Sequence, residues 1–219
     1  MAEKNESSST PLWLKSREEI IAATPPSVWR GKVPNYAEIN EKLSVQRQKH
    51  FEPNSLEELV SNLVRCFEME ATHKANPADW ISVDHNVFVM TVNGGPAVTI
   101  KDLVTKGGYN VFIGDQPGYN ASESNYEKSE EVFRNALRQG FLWELLDLKT
   151  DLPKAYLKWR HWGIKDGEFN GHKGDGSLLE FPGSSVVTLN DKMQIIKLEH
   201  EFDAAGIIAS LSGKCPMAK

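Results

Sequence analysis

Residues 159–203 read WRHWGIKDGEFNGHKGDGSLLEFPGSSVVTLNDKMQIIKLEHEFD, and how this stretch folds decides the architecture of the chain. Runs rich in β-branched and aromatic residues alternate with Gly/Asp/Asn clusters, which predicts three successive strands joined by turns. The first closes a run over Ala155–Ile164, and the other two, Leu178–Leu189 and Met193–Asp203, meet at Asn190-Asp191, a hairpin dipeptide. In the last strand Lys197, Glu199, Glu201 and Asp203 alternate with Leu198, His200 and Phe202, so a period of two puts the charged groups on one face. The stretch also holds three of the six histidines and two of the six tryptophans, and any chemistry is expected here.

Upstream, Phe141–Leu148 predicts a further strand, separated from the next by a turn at Thr150-Asp151-Leu152-Pro153. His85–Val92 predicts another, ended by Asn93-Gly94-Gly95-Pro96. The clearest helix spans 54–75: Ser55-x-x-Glu58 reads as a capping box, and Leu56, Leu59, Val60, Leu63, Val64, Phe67 and Ala71 recur at helical spacing. Glu70 falls in the same arc, and is either at a solvated helix end or placed in a cavity. Shorter helices are expected over Leu12–Ala23, Thr99–Lys106, Glu127–Arg138 and the terminal AAGIIASL, with 114–126 a loop. Helices that precede a run of antiparallel strands give an α+β class, a curved sheet wrapped around a long helix. The expected organisation is a disordered tail over 1–10, an arm over 11–52 laid against the core, the main domain over 53–213 and a tail over 214–219.

The chain has 219 residues, 40% hydrophobic, and a net charge of −5 with acids and bases interspersed. That balance argues against a nucleic-acid or anionic-membrane surface as the main business. Two cysteines, Cys66 and Cys215, imply no disulfide framework, and MAEKNESSST has no apolar export region, so the expected compartment is cytoplasmic.

Specific residues carry a resemblance. They are Val28-Trp29-Arg30 with Pro34-Asn35-Tyr36, Ser55-Leu56-Glu57-Glu58, Phe67-Glu68-Met69-Glu70 with His73-Lys74, and Gly107-Gly108-Tyr109-Asn110. Lys158-Trp159-Arg160-His161-Trp162-Gly163, Gly167-x-Phe169-x-Gly171-His172 and Phe202-Asp203 continue the series. Together these resemble the plant pathogen-related proteins within the nuclear transport factor 2-like, or SnoaL-like, superfamily. The resemblance implies a cone: a strongly bent antiparallel sheet closing over the long helix, a pocket between them, and a homodimer through the sheet. It implies proton-transfer chemistry without a cofactor, as in polyketide cyclases and dehydratases, or binding without catalysis.

On this reading Asp203 matches the proton-abstracting Asp of the SnoaL-like pattern, at the end of the last strand. A carboxylate desolvated by the cone would gain strength as a base. His161 is the candidate proton shuttle, and Glu70 or Arg160 would orient the substrate or stabilise charge. Trp143, Trp159, Tyr109 and Phe88 are candidates to line the pocket, as core or interface residues otherwise. Lys165 stands where many SnoaL-like proteins carry a His, a departure from the cyclase pattern, and no residues match the ketosteroid isomerase arrangement. No metal is expected: Asp166-x-Glu168-x-Asn170-Gly171 lacks the last ligand of a calcium loop, and His161, His200 and Glu201 follow no ligand spacing. The expected ligand is a small hydrophobic or aromatic metabolite of polyketide, phenolic or terpenoid type, turned over by a lyase, isomerase or cyclase; the alternative is a defence-related module that binds a hydrophobic metabolite or peptide without turnover. In a third reading the arm plugs the pocket.

Overall fold

The computed structural model describes residues 10–213; the expected tails over 1–10, apart from Thr10, and over 214–219 lie outside the described residues. Within them α1 (Arg17–Ala23) and α2 (Ala37–Gln46) form the arm, followed by α3 (Leu56–His73), β1 (Val89–Val92), α4 (Ile100–Lys106), α5 (Gly108–Ile113) and α6 (Tyr126–Ala136). Then come β2 (Leu142–Asp151), β3 (Lys154–Ile164), the small hairpin β4 (Glu168–Phe169) and β5 (His172–Lys173), β6 (Leu178–Leu189), β7 (Ile195–Phe202) and α7 (Ala204–Leu211).

The sheet has the order β1-β7-β6-β3-β2 and curves around α3. Long strands β2, β3, β6 and β7 pair antiparallel, with irregularities at Leu145/Asp147 and Thr188/Leu189. Such extra residues bend a strand and sharpen its twist, which curvature requires. At the edge, β1 pairs parallel with β7, a departure from the all-antiparallel expectation. The expected strand over His85–Val92 is also shorter, because the amides of Val87 and Phe88 bond the Asp84 carbonyl in a turn. The sequence reading left out the two-residue strands β4 and β5 and the helix α5: Gly107, at φ +89°, ends α4 and opens α5 immediately. A left-handed residue is where glycine is favoured, and a Cβ there would press on Tyr126.

Ser55 caps α3 by accepting from the Glu58 amide at 3.2 Å. The helix is buried on two sides. Val60, Leu63, Val64, Phe67 and Ala71 face the sheet in the main core with Leu145, Ala155, Leu157, Val187 and Leu198. Cys66 and Met69 face the arm, where Ile20 and Trp29 close a second cluster over them. The arm thus shares a core with the domain. It also reaches around the sheet: Leu43 of α2 packs on Leu142 and Trp162. The Arg160 guanidinium donates to the Gln46 carbonyl at 2.7 Å, and Glu144 accepts from the Gln48 and Lys49 amides at 2.6 and 2.7 Å.

Candidate functional site

The curved sheet, α3, α5, α6 and α7 enclose a cavity of about 510 Å³ whose mouth is edged by the arm from Lys32 to Ile39. Its walls follow from two periodicities. On α3 the row Val64, Phe67, Glu68 and Ala71 faces it, at the spacing of one helix stripe. On the sheet, alternate residues turn inward: Leu157, Trp159 and His161 of β3, Leu179, Phe181 and Ser185 of β6, and Leu198, His200 and Phe202 of β7. Phe112 and Phe133 complete a largely apolar, aromatic surface.

His161 lies between two phenylalanines, stacked on Phe141 at 4.6 Å and on Phe181 at 5.7 Å between ring centroids. Its Nε2 is 3.6 Å from the carboxylate of Glu68, and its Nδ1 is buried with no hydrogen-bond partner. Opposite a carboxylate, Nε2 is the natural seat of the ring proton, which leaves Nδ1 as the free base.

His200 is held differently. Its Nδ1 is 2.8 Å from Ser185 Oγ, which accepts at 2.7 Å from the indole N–H of Trp159. Its Nε2 is buried without a partner, and the ring packs edge-on to Phe112 at 5.0 Å. Burial above all, then the neighbouring His161, pushes the imidazolium of His200 down to about 3, so this ring is neutral near physiological pH.

The mouth is more polar. The Arg17 guanidinium lies 3.7 Å over the ring of Tyr36, whose hydroxyl is pushed up to about 12 by burial. Tyr36 meets His73 edge-on at 6.0 Å, and burial lowers His73 to about 4. Glu130, raised by burial, pairs with Arg134 at 2.7 Å. Tyr109 stacks on Phe133 at 4.3 Å, and burial pushes its hydroxyl upward as well.

Of the residues singled out from sequence, the cavity brings together His161, Trp143, Trp159 and Tyr109. Four others stand elsewhere. Asp203 is exposed and caps α7, accepting from the Gly206 amide at 2.9 Å, so it is no pocket base. It stands one residue past β7 as the N-cap of α7, and the free amides of that helix start claim its carboxylate. Glu70 is fully buried but faces away from the cavity: it pairs with Lys74 at 2.8 Å and accepts from the amides of Ile81 and Ser82 at 2.7 and 3.1 Å. Arg160 points to the outer face of the sheet, between Glu144 at 2.8 Å and Glu180 at 3.0 Å and over the Trp162 ring. Phe88 is core, tilted on Phe67 at 5.6 Å. The grouping of His161, His200 and Glu201 fails too, because Glu201 is exposed on the outward set of β7.

The sequence reading missed Glu68, Ser185, Phe141 and Phe181. Signals were present for all four: Glu68 completes the 64-67-68-71 stripe, Phe181 and Ser185 keep step across the strand pair with His161 and His200, and Phe141, just before β2, shares a face with Trp143 two residues on.

No family model matches the chain. Among solved structures it is similar to a provisional SnoaL-like polyketide cyclase from Jannaschia sp. CCS1, at 15% identity over 76% of this chain and 99% of that one, with a TM-score of 0.43. It is similar also to TsrD from Streptomyces laurentii, at 13% identity over 76% and 100% of the two chains and a TM-score of 0.42. A protein with a ketosteroid isomerase-like fold from Catenulispora acidiphila matches at 8% identity over 70% and 93%, with a TM-score of 0.39. A pathogen-related protein of Hordeum vulgare is far nearer in sequence, 31% identical over an alignment of 192 residues that covers 84% of this chain and 82% of that protein. The chain belongs to the pathogen-related protein family.

Proposed function

We propose that the cavity binds a planar, largely apolar metabolite of polyketide, phenolic or terpenoid type, and that His161 moves a proton on it without a cofactor, as a lyase, isomerase or cyclase would. One observation carries this reading. His161 is clasped between Phe141 and Phe181 with Nε2 toward Glu68 and a buried, unpartnered Nδ1, in a wall that is otherwise mostly apolar. A base held in one orientation beside a bound substrate needs no reorganisation before it acts. Glu68 would hold the ring and stabilise the imidazolium once the proton is taken.

A second reading is a binding module with no turnover. It is favoured by the aromatic wall itself and by the removal of the expected base Asp203 to the surface. A dimer through the outer sheet face, which the resemblance implied, would use the area α2 leaves open, around Tyr156, Ser184, Val186 and Glu199.

The deciding experiment is a thermal-shift screen of polyketides, phenolics and terpenoids against wild type, His161→Gln and Glu68→Gln, followed by product analysis. A ligand bound to the folded state raises its melting temperature. Compounds that stabilise all three proteins and are consumed only by wild type support the enzyme; compounds that stabilise all three and persist unchanged make the protein a binder. If nothing in the panel stabilises any of them, the pocket reading is wrong.

A further inference from the structure

The chain Trp159–Ser185–His200 is a device the proton-transfer reading does not use. An indole N–H can only donate, so at 2.7 Å Ser185 Oγ must accept from Trp159. The hydroxyl has one proton left, and the neighbour in reach is His200 Nδ1 at 2.8 Å. If Ser185 donates to Nδ1, the group count leaves one orphan, a proton on Nε2. If Nδ1 donates instead, both the serine proton and the Nε2 lone pair go unmet. Unmet buried polar groups are costly, so the first arrangement is preferred.

We infer that Trp159 and Ser185 hold His200 as its Nε2–H tautomer, and that the cavity therefore selects a planar ligand that presents an acceptor oxygen, a ketone or quinone carbonyl, to His200. This rests on the small-molecule reading of the cavity and narrows its substrate class. Nε2 is buried without a partner on a residue that lines the cavity, so a ligand oxygen is the partner it lacks. Because the ring is neutral, it polarises a carbonyl without surrendering a full charge. With His161 Nδ1 as acceptor, the cavity wall offers one donor and one base, the pair needed to remove a proton beside a carbonyl and hold the resulting enolate. Trp159 and Ser185 are positioning residues: they act on the ligand through His200.

Two measurements on the full-length protein test it. The ring 15N–1H correlation spectrum of unliganded wild type should show His200 protonated at Nε2 and bare at Nδ1, with Ser185→Ala raising the Nδ1–H population and Ser185→Thr restoring the wild-type pattern. Predominant Nδ1–H in wild type overturns the inference. Binding of 9-fluorenone and of fluorene, the same tricycle without the carbonyl, is then followed by quenching of tryptophan emission. Wild type should prefer the ketone about tenfold over its preference in His200→Phe, the scale of one buried hydrogen bond. An identical preference in the two proteins overturns the ligand claim. If neither tricycle binds either protein, the ligand claim fails while the spectrum still decides the tautomer, and the metabolite panel above decides separately whether the cavity takes a small molecule at all.

Discussion

At the scale of the residue, burial decides which carboxylates are structural. Glu70 is 0% exposed and Lys74 2%, and the ammonium also donates to the Asp79 carbonyl at 2.7 Å. Removing one partner of such a pair leaves an uncompensated buried charge. Glu70→Gln should therefore cost about 3–5 kcal/mol, read as a lower urea midpoint at constant slope; a loss under ~1 kcal/mol would show that the pair is not what holds this corner. His200 and His73 give the protein a pH signature. Both are depressed by burial, to about 3 and about 4 from an ordinary 6.5. Below pH 6.5 the unfolded chain takes up protons the folded one refuses, so stability is full above that value and falls as the pH drops toward 4. Each histidine contributes a slope of up to ~1.4 kcal/mol per pH unit in that window. Urea titrations from pH 7 to 4 should show the decline, shallower in His200→Phe; a flat profile in wild type would rule it out.

At the scale of the element, alternation explains which expectations held and which moved. β3 turns Trp159 and His161 inward and Arg160 and Trp162 outward, so the run WRHW was legible as two faces, yet Arg160 had been expected beside His161. Its long side chain found Glu144, Glu180 and the arm, all brought together only by folding. The strands over Ala155–Ile164 and Leu178–Leu189 were readable nearly to the residue, because each is bounded by strong turn residues. Gly183 shows what pattern cannot carry. It sits opposite Trp159 on β6, where a Cβ would run into the indole that reaches on to Ser185. Gly183→Ala should displace Trp159, cost about 1–3 kcal/mol by overpacking and shift tryptophan emission to longer wavelength. Unchanged emission and stability would mean the indole has room that the wild-type packing does not show.

At the scale of the whole molecule, the arm over 11–52 belongs to the core. Ile20 and Trp29 cover Cys66 and Met69, the Arg30 amide bonds the His73 carbonyl at 2.6 Å, and residues 32–39 edge the cavity. A chain beginning at residue 53 would expose the second face of α3 and open the cavity to water. Its thermal unfolding should lose cooperativity and its apolar surface should bind a fluorescent dye such as ANS. A sharp transition close to that of the full chain would return the arm to the status of an appendage. Among the described residues no helix is long and apolar enough to cross a membrane.

The sequence by itself determined the α+β class, nearly every strand and helix, and the family, because periodicity, caps and turn residues are local properties and the shared motifs span most of the chain. It also named His161 and Trp159 as candidates on one strand, and folding sets both side chains in the cavity wall. Only the tertiary structure decided which acidic group stands beside His161 and that Ser185 joins Trp159 to His200, because those contacts join residues far apart in the chain. The Asp203 cap and the Glu70–Lys74 pair are local, three and four residues apart, and folding added to them the burial of Glu70, whose carboxylate also takes the amides of Ile81 and Ser82. A side chain whose partners lie far along the chain takes the one that burial brings within reach.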